Sequence, residues 1–230
     1  MFRAVGRREG EKRNRRFVMD AIKVEPSRGK RRVRLGRGIQ LLTGRTAMAL
    51  SDWVLRKPTL ETARLVLRPL APSDVPALAE WMPDPAIYAY WGKGPGKAER
   101  HPEVLFAKER RPAKSFHLGI ALRETGRVVG DVWVYRIVRD REATVAVRLG
   151  RPHQGRGFGT EALSAMGRFC FAHTELRRLR AEVDVRNAAS RRMLEKCGFV
   201  RKGDARRGKM VSVSCEFFVY ELERPPTPSA

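Results

Sequence analysis

The segment Gln154-Gly155-Arg156-Gly157-Phe158-Gly159-Thr160 constrains this chain more than any other. It falls between a stretch that reads as a strand ending at Leu149 and one that reads as a helix over 160–173. In that helix Leu163, Met166, Cys170 and His173 recur at helical spacing. Glycine has no Cβ to block close approach, so the backbone N–H groups around 155, 157 and 159 can converge on one point. The helix behind them adds amides without intrahelical acceptors and the positive end of its dipole. A strand, a glycine turn and a helix in this order predict an anion nest suited to a diphosphate. The Gly-Lys-Ser/Thr ending of a P-loop is missing. The dinucleotide fingerprint also fails, for it needs another glycine and an acidic residue about 20 positions on. A flexible turn without a ligand is the alternative that spacing alone leaves open.

Around this unit, residues 60–222 read as a mixed α/β domain. Strands are expected at Arg64–Leu70, Phe116–Leu122, Val128–Val138 and Thr144–Leu149. Two more are expected at Leu179–Val185 and Val211–Leu222. A helix is expected from Pro72 to Met82 with Ser73 as its cap, and a shorter one over Pro102–Arg110. Another should run from Asn187 to Cys197 and close on Gly198. Hairpins first and strand–helix alternation later imply a mixed, mostly antiparallel twisted sheet with helices on both faces.

Charge is the second constraint. The chain carries 48 Lys+Arg against 25 Asp+Glu, a formal net of +23, which invites polyanionic partners. Residues 1–50 hold 15 basic and 4 acidic groups without sustained apolar periodicity. This segment is expected to be a disordered or weakly ordered basic extension, or a misassigned start, since Met19 or Met48 could each begin the chain. The sharper alternative is an arm that contacts ribosome or nucleic acid. The domain proper is placed at 60–223, followed by a flexible tail at 224–230. Cys170, Cys197 and Cys215 are odd in number and widely spaced, which fits a reducing, cytoplasmic setting and argues against disulfides or zinc. No metal cofactor is expected, and no apolar run approaches the roughly 18 residues of a membrane span.

One strand–helix unit after the glycine turn comes Val185-Arg186-Asn187-Ala188-Ala189-Ser190, ending in Cys197-Gly198-Phe199. The two elements together resemble the GCN5-related N-acetyltransferase (GNAT) superfamily. Its acetyl-CoA loop, Q/R-x-x-G-x-G/A, is matched by Gln154, Gly157 and Gly159, and its later helix by Asn187, Ser190, Gly198 and Phe199. ETARLVLRPL at 61–70, GRVVGDV at 126–132 and GTEAL at 159–163 agree with it. The wording is similar to the Rim-type subgroup that acetylates ribosomal-protein N-termini, a subgroup that also holds acetyltransferases for antibiotics and polyamines.

The resemblance implies an acyl-CoA N-acyltransferase-like fold with acetyl-CoA as cosubstrate and an amine acceptor. It implies backbone contacts from Val147 and Leu149 to the pantetheine arm. The diphosphate would rest on Gln154, Gly155, Arg156, Gly157, Phe158, Gly159 and Thr160, with Asn187 and Ser190 near the sulfur. Where many relatives carry a Tyr acid this chain has Leu194, so Ser190 is the candidate thiolate donor. Glu142 is the weak candidate base, with a hairpin-end ion pair as its alternative. Tyr88, Tyr90, Trp91 and His117 are candidates for the acceptor side.

A lysine-like amine with pKa about 10.4 costs roughly 4.6 kcal/mol to neutralise at pH 7, an α-amine only about 1–1.4. The absence of an obvious base therefore leans toward a protein N-terminus. A small-molecule amine or antibiotic acceptor is the alternative, and an inactive GNAT-fold protein that binds ribosome or nucleic acid is the third. A monomer or homodimer without membrane attachment is expected.

Overall fold

A computed structural model of the chain describes residues 24–25, 58–91, 94–106, 115–210 and 213–226. In chain order the elements are β1 (Val24–Glu25), β2 (Thr59–Glu61), β3 (Leu65–Arg68), α1 (Val75–Trp81), the single turn α2 (Lys97–Arg100), β4 (Phe116–Leu122), β5 (Val128–Val138) and β6 (Glu142–Leu149). Then follow α3 (Phe158–His173), β7 (Arg178–Asp184), α4 (Ala188–Lys196), β8 (Val200–Arg201), β9 (Arg206–Met210) and β10 (Val213–Glu223).

The strands form one sheet in the order β1-β2-β3-β4-β5-β6-β7-β10-β8, with β9 paired to β10. Every pairing is antiparallel except β6 with β7. Alternation along the strands sends side chains to two faces. Phe116, Leu118 and Ile120 of β4 join Val132 and Val134 of β5 on one face, where α3 covers them with Ala162, Met166 and Phe169. Phe116 stacks on Phe169 with centroids 5.5 Å apart. On the opposite face Ala121 and Val128 pack with Leu78 and Trp81 of α1 and with Met82, Ile87 and Tyr88. Helices therefore cover both faces of a mostly antiparallel sheet, as the pattern of hairpins and alternating elements predicts.

Local chemistry sets several boundaries. Ser73 caps nothing: a 3-10 turn over Pro72–Asp74 leads into α1, and the Asp74 carboxylate accepts from Ala71 N–H at 2.8 Å and from both terminal nitrogens of Arg68. Gly198, at φ +86°, ends α4 in the left-handed conformation that glycine adopts without a Cβ penalty. The helix expected at Pro102–Arg110 is a 3-10 turn over Pro102–Leu105, and its last four residues lie outside those described. Arg224, placed by sequence in a tail, donates its N–H to Arg177 O and its guanidinium to the carbonyls of Thr174 and Leu176. Of the basic extension only Val24–Glu25 is described, as a strand beside β2. The proposed ribosome or nucleic-acid arm otherwise lies outside the described residues, as do Met19, Met48 and positions 92–93.

Candidate active site

β6 and β7 pair only over residues 142–144 and 178–180. Beyond that point each keeps its other neighbour, β5 or β10, to its end, and the edges facing each other are left open. The opening is a cleft of 530 Å³ lined by residues from both sheet faces, within the range of small-molecule sites.

The β5–β6 register shows what the edge of β6 offers. Gly150 N–H donates to Val129 O at 2.9 Å, which makes 129/150 a hydrogen-bonded pair. Antiparallel pairs alternate, so Val132/Val147 and Gly130/Leu149 are non-hydrogen-bonded. The main-chain groups of Val147 and Leu149 thus turn away from β5 and into the cleft. One of them is spoken for, since Gln154 Nε2 donates to Leu149 O at 2.9 Å and ties the glycine turn to the strand it follows.

That turn opens α3 without a side-chain cap. Gly157 is its N-cap at φ +80°, and Gly155 sits at φ +72°. The helical ladder starts with Glu161 N–H to Gly157 O, so the amides of Phe158, Gly159 and Thr160 precede it. A Cβ on Gly159 would stand 2.8 Å from Met193 Sδ, which is why α4 can pack this close. Gln154, Gly155, Gly157, Gly159 and Thr160 line the cleft. Phe158 turns its ring into the core and has only its amide to give, and Arg156 lies over that ring at 5.0 Å. Asn187 Oδ1 accepts from Ser190 N–H at 3.0 Å, so Asn187 is a helix cap that also lines the cleft, leaving its amide NH₂ to donate there. Ser190 and the buried Leu194 line it as well.

On the other sheet face the cleft is walled by Ile87, Tyr90, Trp91, Tyr135 and Glu182. Sequence reading missed Glu182. Its neighbours Ala181 and Val183 belong to the α3 core, so alternation points Glu182 to the acceptor face. It is held by Arg136, whose Nη1 donates to Glu182 Oε2 at 3.0 Å and whose guanidinium lies 5.5 Å from the Tyr135 ring. Arg136 sits at φ +50° where the β5–β6 register shifts. Such a bulge re-aims a side chain, and nothing in the local sequence announces it. Burial, opposed by Arg136 and reinforced by Glu182, raises the Tyr135 phenol above its ordinary pKa.

Glu142 is placed elsewhere. It stands at the closed end of the β6–β7 pair, 3.5 Å from Arg178, and does not line the cleft. It is an ion pair, as its alternative reading had it, but with Arg178 across the strand pair rather than with Arg139 or Arg141 of the hairpin. His117 is also removed from the cleft wall: its Nε2 lies 3.0 Å from Asp131 Oδ2, and its ring packs on Trp133. Tyr88 is buried and donates its hydroxyl to Met82 O. Beside it Arg148, which reaches the cleft, grips Asp131 through Nε at 3.0 Å and Nη2 at 2.6 Å. Burial would raise the Asp131 carboxyl, but Arg148 overrides it and holds the group well below the usual carboxylate range.

Comparison with known proteins settles what this geometry belongs to. The sequence model described as an acetyltransferase (GNAT) domain matches residues 64–200, more than half of the chain. The chain belongs to the GNAT acetyltransferase family. It is accordingly an acetyl-CoA-dependent N-acetyltransferase by class. The probable N-acetyltransferase YjcK of Bacillus subtilis is 33% identical over 101 residues, which are 43% of this chain and 56% of YjcK. A putative ribosomal-protein-serine acetyltransferase from Vibrio cholerae shares its fold, with TM-score 0.59 and 24% identity over 72% of this chain and 97% of that one. So does a spermidine N-acetyltransferase from Vibrio cholerae in complex with CoA and spermine, with TM-score 0.60, 20% identity and coverage of 71% and 97%. GNAT enzymes use acetyl-CoA, and the residues present fit it. Two left-handed glycines and an uncapped helix start face the cleft, with Arg64 Nη2 3.3 Å from where a Gly157 Cβ would lie. Among the described residues no cluster of His, Cys, Asp and Glu could hold a metal, and no helix is long and apolar enough to cross a membrane.

Proposed function

We propose that this GNAT enzyme acetylates an α-amine at a protein N-terminus. The observation that carries the reading is the state of the two carboxylates lining the cleft. Glu182 is paired with Arg136, and Asp184 with Arg186 through Nη2 at 2.7 Å. Their charge is answered within the protein, so among the described residues the cleft shows no unanswered acidic lining of the kind a polycation would need. An α-amine brings one weakly basic centre and about 1–1.4 kcal/mol of neutralisation cost at pH 7, within reach of one modest base. The names of similar proteins do not choose, for they include both a ribosomal-protein acetyltransferase and a spermidine acetyltransferase. Tyr90, Trp91 and Tyr135 beside Glu182 also suit a small aromatic or apolar amine, which keeps the small-molecule reading as the second one.

Bound acetyl-CoA would supply an activated thioester carbonyl. Gln154–Thr160 would hold its diphosphate through main-chain amides, with Arg156 at the rim, and Val147 and Leu149 its pantetheine arm. Glu182 would take the proton from the acceptor, directly or through one water, while Arg136 fixes its rotamer. Ser190 would donate a hydrogen bond from its hydroxyl to the departing sulfur, which leaves as a thiolate. A thiolate near pKa 8.5 leaves with little help, so this last role is small.

Glu182→Gln is expected to lower kcat/KM about 100-fold, the lower end for a general base. Glu142→Gln should change it less than about twofold. Thiol release with peptides bearing free N-termini, against the same peptides blocked and against spermidine, measures both. Turnover on spermidine alone, or loss in Glu142→Gln but not in Glu182→Gln, would reject the reading.

A further inference from the structure

Two motifs of the sequence hold residues that the cleft itself does not explain: ETARL at 61–65, in the turn between β2 and β3, and GTEAL at 159–163, in the first turn of α3, whose Glu161 does not line the cleft. They lie almost a hundred residues apart and meet at one carboxylate. Glu161 Oε1 accepts from Thr62 Oγ1 at 2.7 Å and from Arg64 N–H at 2.8 Å, while Oε2 accepts from Arg64 Nε at 2.7 Å. Arg64 then reaches past the helix start. Its Nη1 donates to Arg156 O at 3.0 Å, inside the glycine turn, and its guanidinium lies 4.7 Å from the Phe158 ring. Thr62 is itself fixed, because Leu65 N–H donates to its hydroxyl at 3.0 Å.

We infer that Thr62, Glu161 and Arg64 form a latch that sets the conformation of the diphosphate cradle from the edge of the sheet. The three are positioning residues: they act through Arg156 O and the Gly157 turn. Glycine makes this necessary. Gly155 and Gly157 can reach their left-handed conformations but are not confined to them, so something else must hold the amides convergent. The latch does so from outside the cleft, where it leaves the amides uncovered. Burial would raise the Glu161 carboxyl, but the donors from Thr62 and Arg64 lower it, so the carboxylate form is the one the latch uses.

The inference rests on the reading that this turn receives the diphosphate of coenzyme A, and it makes a prediction opposite in sign to simple electrostatics. A carboxylate one helical turn from a diphosphate repels it, so neutralising Glu161 should tighten binding if charge alone mattered. If Glu161 is the latch, Glu161→Gln should weaken coenzyme A binding about tenfold. Calorimetric titration of coenzyme A into the full chain measures this. Kinetics should show a matching rise in KM for acetyl-CoA, with KM for the acceptor and kcat within about twofold. Thr62→Val should behave like Glu161→Gln, and Thr62→Ser, which restores the hydroxyl, should bind like wild type. Binding by Glu161→Gln as tight as wild type or tighter would overturn the latch while leaving the cradle standing. A wild type that binds no coenzyme A would overturn the cradle reading and the latch with it. Should Glu161→Gln be unfolded at the assay temperature, the Thr62 pair decides by the same two outcomes.

Discussion

Gly157→Asp is expected to abolish measurable coenzyme A binding while the protein stays folded. The substitution puts a carboxylate at the N-cap of α3, where the cradle amides converge and Arg64 stands 3.3 Å from the new Cβ. Two unit charges about 4 Å apart at an effective dielectric near 20 repel by about 4 kcal/mol, close to a thousandfold in affinity. The new side chain also competes for the same donors, since Asp is a good N-cap residue. Strain is the smaller effect. A non-glycine residue at φ +80° costs roughly 1–2 kcal/mol, and Asp tolerates that region better than most. Gly157→Ala separates the two causes: it carries the strain without the charge and should lose some stability but little more than tenfold in affinity. Titration calorimetry paired with a melting curve reads both quantities.

Arg148→Met should cost about 3–5 kcal/mol, the penalty for removing one partner of a buried ion pair. Asp131 is fully buried and Arg148 nearly so. The guanidinium is packed among the rings of Trp81, Tyr88 and Trp133, 5.0 Å from the last. Methionine can fill much of that space but leaves the Asp131 charge with His117 alone. In a domain of this size the loss corresponds to about 6–20 °C in Tm. Its pH dependence follows from the direction of the shift. Asp131 is held below its unfolded pKa of about 3.9, so its contribution is present above that value and is lost as pH falls through the folded pKa. In the variant, burial without Arg148 raises the carboxyl instead, so it can take up a proton as pH falls. The penalty should therefore be largest near neutral pH and shrink in acid. Asp131→Asn combined with Arg148→Met should recover most of the loss at pH 7. Urea unfolding at pH 7 and pH 4 measures each part.

The parts of this molecule that could be read in advance are those in which local sequence decides local structure. β4 and β5 run over the predicted residues, because alternating apolar side chains and a Thr-Gly turn leave few other arrangements. The glycine turn and α3 were legible for the same reason, as was the Asn187 cap. What stayed hidden depends on residues far apart in the chain. β8 and β9 are short strands without an alternating apolar pattern, and they exist because β10 offers them an edge. Glu182 reads as an ordinary polar residue on an alternating strand until the parting of β6 from β7 opens a cleft beside it. The Arg136 bulge has no glycine to mark it. Glu142 was a candidate only as the acidic residue nearest Thr144, where the resemblance leads one to look for a base, and that says nothing about where the strands separate. Strict alternation on β7 was the one available signal for Glu182, since it assigns that residue to the face opposite the core.

Main-chain capture of a diphosphate by residues 154–160 is tested most directly by one comparison. Coenzyme A and pantetheine share the arm that Val147 and Leu149 would bind, but only coenzyme A carries the diphosphate. Titrated separately into the full-length protein in a calorimeter, coenzyme A should saturate a single site. Pantetheine should bind at least a hundredfold more weakly. No heat with coenzyme A, or equal affinity for the two, would contradict the account.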